Sequence, residues 1–101
     1  MRDDTQIQAD LIRAARAREL LDNVLLEEAL SVIEADVVKL WGESPQRDKE
    51  GKEALWQLYK TAQKFRGLLR GYVESGKYAQ SELAHYEKTA KISRLFANLR
   101  G

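Results

Sequence analysis

LEEALSVIEADVVKLWGESPQRDKEGKEALWQLYKTAQKFRGLLRGY, residues 26–72, carries two apolar stripes separated by one loop around Pro45. In the first, Leu26, Leu30, Ile33, Val37 and Leu40 recur at alternating steps of four and three. In the second, Leu55, Leu58, Ala62, Phe65, Leu69 and Tyr72 do the same. That heptad rhythm puts each set on one side of a helix. The spacing predicts an all-α fold built on a long antiparallel helical hairpin. Leu26, Ile33, Val37, Leu40, Leu58, Phe65 and Leu69 are its expected core, and flanking helices at either end bring the total to three or four.

Outward from the hairpin, a first helix is expected from about Asp4 to Leu21, with Asp3, Asp4 and Thr5 as cap candidates. Its stripe (Ile7, Leu11, Ala14, Leu21) is weaker, so this helix is expected to be the most mobile or partner-dependent. Asp22-Asn23 reads as a break, with Asn23 capping helix two; a continuous helix over residues 5–41 is the other reading. Helix two is expected to reach Trp41, with Gly42 as its C-cap. After the loop, Ser44 ahead of Pro45, or Asp48, caps helix three. Gly76 is expected to end helix three near Ser75, and helix four to run from Ala79 or Ser81 to Asn98.

Composition narrows the function classes. The 101 residues predict a single helical domain with a modest core, marginal alone or stabilised by a partner. No Cys is present, which removes disulfides, thiol catalysis and thiolate metal sites. No apolar run approaches the ~20 residues of a membrane span, and the polar, acidic N-terminus is not a signal peptide. A cytoplasmic protein without membrane contact is expected. Charge is uneven: residues 23–46 carry five acids against Lys39, while residues 47–76 and 77–101 each sum to +3.

Few residues suggest chemistry. His85, the one histidine, has no carboxylate at i+4 spacing to share a metal and reads as a surface or interface residue. The pairs Glu27/Glu28 and Glu34/Asp36 lack the two Glu-x-x-His partners that a di-metal site needs and read as a solvated face. No catalytic, cofactor or metal residues are expected, and no enzyme. Lys60, Lys64, Arg66 and Arg70, interleaved with Trp56, Tyr59 and Tyr72, together with Lys88, Lys91 and Arg94, suit phosphates and bases. Arg66 flanks the stripe and suits the acids of helix two equally well. Gly67 and Gly71 each cost ~1 kcal/mol inside a helix relative to Ala. Their spacing suggests close approach of another helix, from this chain or a second one. Trp41 and Trp56 flank the loop, either as packing beneath it or as a binding surface. Trp41, Trp56, Gly67 and Gly71 are therefore the interface candidates.

Several segments carry a resemblance. They are Ala15-Arg16-Ala17-Arg18-Glu19-Leu20-Leu21-Asp22-Asn23, Trp41, Pro45-Gln46-Arg47-Asp48, Glu53-Ala54-Leu55-Trp56 and Gly76-Lys77-Tyr78-Ala79-Gln80. From about Ala14 to Gly101 the chain resembles a group of small helical proteins of tailed bacteriophages, with patterns ARA-x-LL-x-N, W…TP-x-RD, RE-x-LW and G-K-x-A. Lys52 stands for the arginine and Ser44 for the threonine. The resemblance implies an accessory product of the head, portal and packaging gene region, acting in the host cytoplasm or the virion. It brings no activity and no functional residues. The expected function is a non-enzymatic interaction or assembly protein, homo-oligomeric or bound to a virion or packaging component. DNA binding through the basic face is one alternative. Inhibition of a host protein through the acidic face of helix two is another.

Overall fold

The computed structural model describes residues 2–100, and these form three helices with no strand: α1 (Asp4–Leu21), α2 (Val24–Glu43) and α3 (Lys49–Arg100). Each start is set by a short polar side chain. Asp3 caps α1 in a capping box: its carboxylate accepts from the Gln6 amide at 2.9 Å, and the Gln6 side chain accepts from the Asp3 amide at 3.1 Å. Asn23 caps α2, accepting from the Leu26 amide at 2.9 Å, so the chain breaks between helices one and two. Asp48, not Ser44, caps α3, accepting from the Gly51 amide at 3.0 Å. Ser44 instead closes α2: its hydroxyl and the Lys52 ammonium both donate to the Trp41 carbonyl, at 2.8 and 3.0 Å. Lys52 thereby supplies the positive charge that the last turn of α2 lacks. Gly42 lies inside α2 rather than capping it.

Gly76 does not end a helix. α3 runs through it for 52 residues, and there is no separate helix four. At 1.5 Å per residue such a helix is roughly 78 Å long, close to the long dimension of the molecule, 81 × 26 × 16 Å. The expected hairpin flanked by two further helices is therefore replaced by one long rod with two shorter helices along it. α1 makes the broader contact with α3, and α2 the narrower. Both run against it. Along α1, Arg2 meets Glu82 and Ala14 meets Gly76; along α2, Glu27 meets Arg66 and Trp41 meets Lys52.

The α1–α3 contact rests on small residues. A Cβ added to Gly76 would land inside the Ala14 methyl and 3.7 Å from both the Ala14 Cα and the Asp10 carbonyl oxygen. The backbones approach closely here because neither side chain holds them apart. Ile7, Ala14 and Ala17 of α1 and Ala79 of α3 are buried. At the end of the contact, the Arg2 guanidinium bridges Asp10 and Glu82, and the Tyr86 hydroxyl donates to the Arg2 carbonyl at 3.0 Å. Hydrogen bonds from Arg2 to Glu82 and then Asp10 hold the guanidinium charged, with its pKa above the ordinary value. Helix one, expected to be the loosest element, thus supplies three of the seven buried apolar residues, whereas α2 supplies Val37 alone.

Candidate functional site

The two heptad stripes are only partly covered. Leu26, Leu30 and Val37 face Leu55, Ala62 and Leu69 along the α2–α3 seam, buried or half-buried. Ile33 and Phe65, expected inside, keep 40% and 41% of their surface in solvent, and Leu40 and Leu58 more. Residues on the seam's other edge turn inward instead: Glu34, Tyr59 and Arg66 are half-buried. The Arg66 guanidinium pairs with Glu34 and, at 2.9 Å, with Glu27. The ion cluster therefore occupies one edge of the seam, and the exposed Ile33, Leu40, Leu58 and Phe65 lie on the opposite edge.

Two surfaces result, one on each flank of the α2–α3 pair. On the ion-pair flank, Trp41 and Trp56 line an open hollow with Val37, Val38 and Tyr59. Both indoles are close to half exposed, with Lys52 over Trp41 at 4.7 Å and Lys60 over Trp56 at 5.5 Å. On the other flank Ile33 and Leu40 face outward with Leu58 and Phe65. Leu40, Glu43, Ala54, Leu55 and Leu58 line a shallow hollow at its loop end. Val32 and Leu68 extend this side, also half exposed. So large an uncovered apolar area is unusual on a chain that works alone. The radius of gyration of 22.5 Å, against ~13 Å for a globular chain of this length, reflects the same shortage of a third layer.

The other candidates fall outside these flanks. Gly67 and Gly71 are exposed, and a Cβ on either meets nothing within 4 Å, so no helix of this chain approaches them. The expected close approach belongs instead to Gly76. Of the basic residues, Arg66 is withdrawn from solvent by Glu27 and Glu34, and its buried Nε has no partner among the described residues. Lys60, Lys64, Arg70, Lys88, Lys91 and Arg94 are exposed, and none pairs with a carboxylate among the described residues. The acidic face of α2 is correspondingly reduced: Glu27 and Glu34 are committed to Arg66, leaving Glu28, Asp36 and Glu43 exposed. His85 is exposed on α3. No group of three potential ligands among the described residues converges on a metal position, and no described helix is long and apolar enough to cross a membrane.

Beyond α1, α3 continues over residues 87–100 as a single helix on which nothing packs among the described residues. Ile92, Leu95, Phe96 and Leu99 form a stripe at steps of three and four, 43 to 82% exposed. The sequence predicts a separate helix four ending at Asn98 and does not reveal that no described helix covers these four.

Compared with models of known protein families, with curated proteins and with solved structures, the chain matches none.

Proposed function

We propose that this chain is a non-enzymatic assembly protein that works by docking protein on the apolar flank of α2 and α3. The observation that carries this reading is the exposure of Ile33, Leu40, Leu58 and Phe65, four large apolar residues on one side of a two-helix layer. Helices with such a stripe stabilise themselves by burying it against another element. The resemblance to small tailed-phage proteins supports a setting in virion assembly or DNA packaging, with a second copy or a virion component as the partner. Light scattering and binding of the dye ANS test the proposal together. The expected result is particles heavier than one chain, or single chains that bind the dye and lose it on Phe65→Ser. Single chains that bind no dye would overturn the reading, because the flank would not then be available for docking.

A second reading, a nucleic-acid-binding accessory protein, is favoured by the six exposed cations at Lys60, Lys64, Arg70, Lys88, Lys91 and Arg94. Six phosphate contacts would give an affinity for duplex DNA that falls with the logarithm of salt at a slope of about −5. A salt series decides: the assembly reading predicts no phosphate-driven slope, and a steep one would replace it.

A further inference from the structure

We infer that the C-terminal helix of one copy, residues 87–100, docks into the α2–α3 flank of a second copy of this chain. The inference rests on the assembly reading and names its partner.

Three observations point to this pairing. The first is fit. Ile33 and Leu40 are two turns apart on α2, Leu58 and Phe65 are two turns apart on α3, and Ile92 and Leu99 are two turns apart on the C-terminal helix. The exposed side chains of Leu95 and Phe96, between Ile92 and Leu99, would enter the hole framed by the other four, as knobs enter holes where helices pack lengthwise. The second is charge. Exposed Asp36 and Glu43 rim the flank beside Leu40, and exposed Lys88 and Lys91 sit one turn from Ile92 and Leu95. Acid therefore edges one surface and base the other, which favours this contact over the pairing of like surfaces. The third is reach. From Phe65 or Leu58 to Phe96 is 31 or 38 residues of one continuous helix, roughly 47 or 57 Å. A chain cannot bring its own tail to its own flank, so the occupant is another molecule. The contact joins two different surfaces and is therefore heterologous, tail to flank.

The test uses the full-length protein at micromolar concentrations in sedimentation and light scattering. Wild type is expected to associate. Phe96→Glu, at a side chain 59% exposed, and Leu58→Glu, on the flank, are each expected to weaken association at least tenfold, with helicity retained by circular dichroism. Mixed one to one, the two variants are expected to form a heterodimer, because one supplies an intact tail and the other an intact flank. Leu58→Glu also touches the seam, so a charge exchange on exposed residues is the independent arm. Asp36→Lys and Lys91→Glu each weaken association several-fold, and combined in one chain they restore it. A monomeric wild type would overturn the inference while leaving dye binding to judge the assembly reading. Wild-type association of Phe96→Glu would show flank meeting flank, wild-type association of Leu58→Glu would show tail meeting tail, and either would overturn it.

Discussion

Ile7→Ala is expected to destabilise the protein by about 3 kcal/mol and to lower its thermal midpoint by roughly 10–20 °C. Ile7 is the largest fully buried side chain, with none of its surface exposed. Its place follows from the antiparallel register. Ala14 lies over Gly76 and Arg2 over Tyr86, so Ile7, about halfway between, falls opposite Ala79 and Leu83. Four carbons shorten to one in a contact whose other buried residues are Ala14, Ala17, Gly76 and Ala79, too small to swing into the void. The polar holds on α1 are the Arg2 bridge to Asp10 and Glu82, the Tyr86 hydroxyl on the Arg2 carbonyl and Arg13 over the Tyr72 ring, all partly exposed and so of modest value. Loss of Ile7 should therefore release α1 before the rest. Hydrogen exchange checks this: amides of α1 should be better protected than those of α2 in wild type, and should lose that protection first in the variant. A midpoint shift of only a degree or two would show that α1 is not anchored at Ile7.

The result also bears on what the residues disclosed beforehand. Caps were legible because they are local: Asp3 and Asn23 need only their own backbone and that of the next turn. The heptad rhythm was legible for the same reason, and α3 extends it. Leu55, Ala62, Leu69, Gly76 and Leu83 form one column at steps of seven, and Leu58, Phe65, Tyr72, Ala79 and Tyr86 another. Gly76 was misread because a glycine after a helical run usually supplies a positive φ at a C-cap. None of the described glycines here has one. The step of seven on either side of it was the better guide. The flank was illegible for a different reason. A stripe records which residues are apolar, not how a neighbouring helix is turned upon it. Beside α1 a residue of each column is buried, Gly76 and Ala79, whereas beside α2 Ala62 is buried and Phe65 is not. Arg66 meets Glu27 and Glu34 of another helix on one edge of the seam while Leu58 and Phe65 stay exposed on the other, a placement that the stripe of α3 does not record.

Glycine substitutions on α3 are expected to split in sign, and the split tests where its neighbours lie. In a helix interior, Gly→Ala removes backbone freedom from the unfolded chain and gains about 1 kcal/mol when the methyl has room. Gly67 and Gly71 have that room, since nothing lies within 4 Å of a Cβ at either position. Gly67→Ala and Gly71→Ala should each raise the denaturant midpoint, and together by about 2 kcal/mol if independent. At Gly76 the same methyl would occupy the space of the Ala14 side chain, with the Ala14 Cα and the Asp10 carbonyl just behind it. Both neighbours belong to the body of α1 rather than to the end of a flexible side chain, so the helix itself must move. Gly76→Ala should lose its intrinsic gain, and Gly76→Leu should cost about 3 kcal/mol by forcing α1 away from α3. Far-ultraviolet circular dichroism at equal denaturant would register both signs on one protein. If Gly76→Ala stabilised the fold as the other two do, the α1–α3 contact described above would be wrong. If instead Gly67→Ala or Gly71→Ala were stable as a single chain but failed to associate, the back of α3 would carry a second helix after all. The docking surface would then move there from the flank of Ile33 and Phe65.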